Sequence, residues 1–245
     1  HFILGDSITS IGEESFYDCS NLKEIQIPDS CKYIDRWAFG YCTSMVAVNL
    51  GNGMEKVDRS AFGQCSSLTN VNLGTNIQEV SYQFLAGTSV SSLYVPKSLK
   101  IINDYSFAFM RKVERIVFEE GIKIESFGQY AFTANTLLTS MSVPYGATEL
   151  RDTFWDCTNI KEIHLPSTVT AMSGNFIVNA YNIEKITYDG TVDEFSNVNM
   201  SFLTGYLQKT KFVQCTNGVY CIVHTGGAAT CQELAVCGGC GLSYG

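Results

Sequence analysis

Residues Ile11 to Ser30 read I-G-E-E-S-F-Y-D-C-S-N-L-K-E-I-Q-I-P-D-S, and most of the chain repeats this stretch with variations. Alignment on Phe16 brings Phe39, Phe62, Phe84, Phe107, Phe132, Phe154 and Phe176 into one column, at spacings of 22 to 25 residues. A fixed period of this size marks a solenoid, in which each turn is one supersecondary unit stacked on its neighbours. Three residues after the Phe stand Cys19, Cys42, Cys65 and Cys157, replaced by Gly87, Met110, Asn135 and Asn179 in the other turns. Six residues after it comes a hydrophobe that opens a strand, as at Leu22, Met45, Leu68, Val90, Val113, Leu138, Ile160 and Ile183.

The strand pattern is apolar-x-x-apolar-x-apolar, for example Leu22, Ile25 and Ile27, or Ile160, Ile163 and Leu165. Alternation turns the last two inward. Several strands stop at proline (Pro28, Pro96, Pro144, Pro166), which lacks the N–H that ladder pairing needs. The chain then returns through a second inward group: Ile34, Val57, Val80, Ile102, Phe127, Leu150 or Met172. The residue after it reads Gly12, Asp35, Asp58, Ser81, Asn103, Gly128, Arg151 and Ser173, a composition that predicts a sharp turn with positive φ. No turn buries its own apolar face, but about nine stacked at ~4.8 Å make a continuous core under a parallel sheet roughly 40 Å long. The cysteine of the column reads as a small buried hydrophobe, because Gly, Met and Asn replace it and packing volume is what they share.

Composition narrows the function. Of 245 residues, 45% are hydrophobic and 16% charged, enough for a core and too apolar for a disordered chain. A net charge of −8 leaves no basic stripe for phosphates, so nucleic acid and anionic membrane are excluded as expected partners. No run reaches 18 apolar residues, and membrane insertion is not expected. The chain opens HFILGDSITS, inside a repeat and without Met, which points to further turns upstream. Three histidines stand without an accompanying nucleophile or acid motif, and carboxylates are scattered rather than paired at one repeat position, so the chain is read as no enzyme.

In its period, in the run from Ile11 to Ser30 and in the echoes of that run through Pro166, the chain closely resembles the BspA-like, Treponema pallidum-type leucine-rich repeats. The resemblance covers roughly residues 3 to 190. It implies a leucine-rich-repeat solenoid with short parallel strands on one face and irregular turns or short helices on the other. It also implies a cell-surface or secreted bacterial protein that adheres to extracellular-matrix proteins, host cells or other bacteria. The expected organisation is repeats over 1–190, a cap and β-hairpin over 191–223, and a Cys-rich tail over 224–245. Turns at Gly87, Met110 and Asn135 depart from the pattern by lacking the Cys, and the turn from Phe107 runs 25 residues, so the middle is expected to be less regular.

Outward strand positions give the expected binding face. Most are small and neutral, including Asn70, Asn72, Ser92, Ser140 and Ser142, and only the centre carries a large aromatic, Tyr94, near Arg115 and Val117. Tyr and Arg favour interface hot spots. Host or microbial proteins or glycans are the expected partners, and a plain spacer that projects other domains is the alternative. His164 lies on the same face and receives no role, since a lone exposed His is usually solvated. Past Ile186, Thr191 with Glu194 forms a capping box, and Val192, Phe195, Val198, Phe202 and Leu203 are expected to cover the last layer. A hairpin is expected about Asn217-Gly218, with Cys215 opposite Tyr220. In the tail, Cys237-Gly-Gly-Cys240 with Cys231 and His224 offers the ligands of a tetrahedral zinc site, while a disulfide or free thiols remain open. The tail also resembles short Cys-rich modules that follow repeats in surface proteins of gut bacteria.

Overall fold

The computed structural model describes residues 2–200 and 212–221. Each turn contributes a strand of three or four residues, such as Glu24–Gln26, Ala47–Asn49, Ser92–Val95 or Glu162–Leu165. These strands pair in parallel one turn apart, with Ile25 opposite Val48, Val48 opposite Val71 and Ile163 opposite Ile186. Ile25, Val48, Leu93, Ile116, Met141, Ile163 and Ile186 point into the core and are buried. The fold is therefore the parallel solenoid that the repeat predicts.

The returning stretch is itself a sheet. Six two-residue strands, from Ser10–Ile11 to Ser126–Phe127, form one parallel array, and Glu149–Arg151 pairs separately with Ala171–Ser173. Between the two sheets, prolines do more than end pairing. The carbonyls of Pro28, Pro96, Pro144 and Pro166 each accept the N–H three residues on, closing a tight corner. Where proline is missing, Gly51 and Gly74 take the corner at φ 70°, and Asn49 and Asn72 accept the glycine N–H through Oδ1 at 3.1 and 3.0 Å. A Cβ on Gly74 would lie 1.9 Å from the Gly51 carbonyl oxygen. Gly74→Ala is therefore expected to cost more than about 1 kcal/mol, read as a fall of about 2–4 °C in Tm for each kcal/mol lost.

The third wall holds the Phe column and contains turns in place of helices. Its left-handed residues are not the expected ones. Asp35 and Asp58 instead accept the N–H of the residue that follows them, at 2.7 and 2.6 Å, and positive φ falls two residues later, at Trp37 and Ser60. A second left-handed residue follows the Phe in every turn, as at Asp18, Tyr41, Gln64, Phe109, Ala134 and Asp156. Bulky residues adopt this conformation at a cost of about 1–2 kcal/mol each, and here a ladder between turns holds them. The N–H groups of Trp37, Phe39 and Tyr41 donate to the carbonyls of Arg59, Ala61 and Gly63, and other turns follow the same scheme. Along this wall the bonds run one way, from each turn to the next.

Inside, Phe39, Phe62, Phe84, Phe107, Phe132 and Phe154 are fully buried. Rings of Phe16, Phe39 and Phe62 stack at 5.0 and 5.1 Å, but Phe62 meets Phe84 edge-on at 81°. At that same step the strand ladder breaks between Asn72 and Ser92. A second break separates Phe118 from Ser140, where the 25-residue turn places its extra residues at the corner 119–125. The expected irregular middle is thus two local faults.

The cysteines of the column do more than fill volume. The thiols of Cys42, Cys65 and Cys157 donate to the carbonyls of Phe16, Phe39 and Phe132, the core Phe one turn back, each at 3.1 Å. Asn135 makes the same bond from Nδ2 to Phe107 at 2.9 Å, and its Oδ1 accepts the Met110 N–H at 2.9 Å. Burial pushes the Cys157 thiol up to about 12, so at neutral pH it is a donor and not a nucleophile. Cys19, Cys42, Cys65 and Cys157 are all free thiols.

At the C-terminal end Thr191 and Glu194 form the expected capping box on the helix Val192–Ser196. Phe195 is buried edge-on between Tyr188 and Tyr220, and Val198 is buried beside it. The hairpin Phe212–Cys215 and Gly218–Cys221 extends the strand sheet through Thr187 opposite Gln214. Its register differs from the expectation by one residue on each side of the turn. Thr216-Asn217 is the two-residue loop, Cys215 faces Gly218, and Val213 faces Tyr220. Asn217 is held in the loop because its Oδ1 accepts the N–H of Val192, at 2.8 Å. Phe202, Leu203, His224, Cys231, Cys237 and Cys240 lie outside the described residues.

Candidate functional site

The strand sheet presents its outward residues as the sequence predicts: Asn70, Asn72, Ser92, Tyr94, Arg115, Val117, Ser140 and Ser142 are all exposed. The structure joins them in two groups. Register places Arg115 beside Ser92 and Val117 beside Tyr94. Ser140 and Ser142 instead stand beside Glu162 and His164. Asn70 and Asn72 lie across the break in the ladder, and Asn72 spends its Oδ1 on its own corner.

Tyr94 is 55% exposed. Desolvation together with the neighbouring Glu119 carboxylate pushes its phenol pKa up. Glu119 in turn accepts the Lys97 N–H at 2.9 Å, which holds its carboxyl below the ordinary range, and pairs with the Lys97 ammonium at 3.4 Å. A tyrosine with Val117 beside it offers a large amphipathic contact with only two side-chain torsions to fix, which favours an interface residue. Arg115 has no ion pair among the described residues and is free to take a carboxylate.

Toward the C-terminal end the face sinks into a depression of about 360 Å³ lined by Ser140, Ser142, Glu162, His164, Lys185 and Thr187. His164 is not simply solvated here. Its Nδ1 lies 2.6 Å from the Thr187 hydroxyl and its Nε2 lies 3.0 Å from the Asp189 carboxylate, so both ring nitrogens are committed. Asp189 sits one turn beyond His164, a relation the period makes visible only once the register is known. Among the described residues, no group of three or more His, Cys, Asp or Glu converges as a metal site would require.

A second surface escaped the sequence reading. Tyr82, Tyr105, Tyr130 and Trp155 form a ladder on the turn wall, with ring centroids 5.1, 4.5 and 6.0 Å apart, and the Arg59 guanidinium lies 4.6 Å above Tyr82. Trp37 packs between Tyr17 and Tyr41 in the same way. The signal was present two residues before the Phe, where Trp37, Tyr82, Tyr105 and Tyr130 share a column.

A sequence profile of the BspA type leucine rich repeat region matches in six copies, over residues 1–108 and 81–202. The chain belongs to the BspA type leucine rich repeat family. Among solved structures, the T. pallidum leucine rich repeat protein is 21% identical with a TM-score of 0.53, over 74% of this chain and 76% of that one. A leucine-rich repeat protein from Bacteroides ovatus is 20% identical with a TM-score of 0.47, and the match covers 74% of this chain but only 58% of that one. A leucine rich cell surface protein from Faecalibacterium prausnitzii is 19% identical with a TM-score of 0.37, over 82% of each chain. None of the curated proteins matches the sequence. BspA type repeats thus build a scaffold that works by presenting an extended surface, and among the described residues no helix is long and apolar enough to cross a membrane.

Proposed function

We propose that this chain is a non-enzymatic binding module of a bacterial cell-surface or secreted protein, adhering to host or microbial proteins or glycans through the strand face. The observation that carries this reading is the exposed Tyr94 with Val117 at its side and, on the same strand pair, Arg115 without an ion pair among the described residues. Elsewhere among the described residues the strand face carries no other exposed large hydrophobic, so these side chains stand out as an anchor. Membership of a repeat family whose architecture offers long open surfaces supports the same reading.

The test is binding of the purified protein to immobilised fibronectin, fibrinogen, collagen, mucin and a glycan panel, beside the double variant Tyr94→Ser/Arg115→Ser. Both residues are exposed, so the fold should survive the change. Saturable binding is expected to weaken by about thirtyfold or more in the variant, the loss of about 2 kcal/mol that defines a hot spot. Equal binding by the variant would remove the site from the strand face. No binding to any member of the panel would favour a spacer that projects other domains.

A further inference from the structure

The left-handed column that follows the core Phe reads Asp18, Tyr41, Gln64, Gly87, Phe109, Ala134, Asp156 and Asn179. Gly87 alone has no side chain, so the column dips between Gln64 and Phe109, and the Gln64 amide leans into this gap, 2.5 Å from where a Gly87 Cβ would stand. The gap forms a cavity of about 530 Å³, with Gln83, Arg111 and Lys112 also on its walls. That volume lies within the range of small-molecule sites, about 300–1,000 Å³.

The charge of the cavity runs against that of the chain. The protein carries 24 acidic residues and 16 basic ones, yet no carboxylate lines this gap. Lys32, Lys56, Lys97 and Lys100 each pair with a glutamate one turn on. Arg111 and Lys112 are exposed and have no ion pair among the described residues. Two unneutralised cations at one concavity favour an anion, and the guanidinium fork can take up a planar carboxylate through two parallel bonds. The remaining walls are uncharged, with two primary amides and the half-buried Phe109 ring, a mixture that matches hydroxyls and an apolar face on one ligand.

We propose that this gap binds a carboxylated sugar, the acidic unit of a glycan. Arg111 takes the carboxylate, Lys112 adds a second positive charge, Gln64 and Gln83 read ring hydroxyls, and the apolar sugar face lies against Phe109. The site is on the turn wall and does not depend on the strand face.

Isothermal titration with N-acetylneuraminic acid and with glucuronic acid tests it, with lactose as the neutral control and inorganic phosphate as the simple anion. At least one acid sugar is expected to bind saturably, with lactose and phosphate each weaker by about tenfold or more, the scale of one charge-assisted hydrogen bond. Arg111→Ser/Lys112→Ser is expected to lose about tenfold or more for the same reason. Gly87→Asn should also lose binding, since Asn already takes the left-handed position at Asn179 and its side chain would fill the gap. The added Cβ meets the end of the Gln64 side chain, 2.5 Å from Oε1, and the left-handed backbone at φ 75° adds strain, so a fall of a few degrees in the unfolding midpoint is expected beside the loss of binding. Absence of heat with both acids, phosphate binding as tightly as they do, or undiminished binding by the Arg111→Ser/Lys112→Ser variant would each overturn the proposal.

Discussion

Truncation of Phe132 to alanine is expected to destabilise the protein by about 3–5 kcal/mol, the loss of a buried aromatic with a cavity left behind. Phe132 is fully buried and sits where four rings meet. Phe107 and Phe154 flank it at 5.6 and 6.0 Å from the neighbouring turns, and Phe118 and Phe127 close on it at 6.2 and 5.9 Å. A solenoid is held by nearest-neighbour contacts, so the cavity weakens the interfaces on both sides. Two measurements check this: the denaturant midpoint should fall, and amide exchange should accelerate first in the turns of Phe107, Phe132 and Phe154. Phe16→Ala, at a half-buried position of the first turn, should cost clearly less. Equal losses at the two positions would contradict the nearest-neighbour account.

Asn135→Leu keeps the branched shape and the number of side-chain heavy atoms and removes the polarity, and it should cost about 2–6 kcal/mol. Two buried backbone groups lose their partners, the Phe107 carbonyl and the Met110 N–H, at about 1–3 kcal/mol each. Asn135→Cys should recover part of the loss, because a thiol at this position donates to the preceding Phe carbonyl in three other turns. Thermal unfolding of the three proteins is expected to rank native, then Cys, then Leu. If Leu matched or exceeded the native protein, packing volume alone would explain the column.

That column shows where sequence reasoning stops. Phe, strand and proline were legible because each recurs in register and each has one dominant physical role. The Cys position was read as volume, yet its replacement by Asn135 was the clue, since what Cys and Asn share there is a hydrogen-bond donor. Asp35 and Asp58 suggested positive φ, but Asp favours this place because its carboxylate caps the next N–H, and the left-handed residue comes later as Trp37 or Ser60. Two-residue strands such as Tyr33–Ile34 are too short to display alternation, so the second sheet left only a column of inward residues. On the binding face, Tyr94 stood out by residue type alone. Its neighbour Glu119 did not, because it lies in the irregular 25-residue turn, where counting along the period fails.

The one-way ladder of the turn wall sets how this protein can change length. Each turn hands its N–H groups to the turn after it, so the wall has a polarity and its junctions follow one scheme. Duplication or loss of one whole turn leaves a matched junction, whereas a partial turn would misalign donors and acceptors along an entire wall. The corner between the two sheets is tied in both directions, by the Glu125 N–H to the Lys100 carbonyl one turn back and the Ile124 N–H to the Tyr145 carbonyl one turn on, and it is there, within 119–125, that the longest turn stores its additional residues. Growth by whole modules and variation at that one corner are therefore the two kinds of length change this architecture tolerates, and the corner is the natural position for a grafted loop.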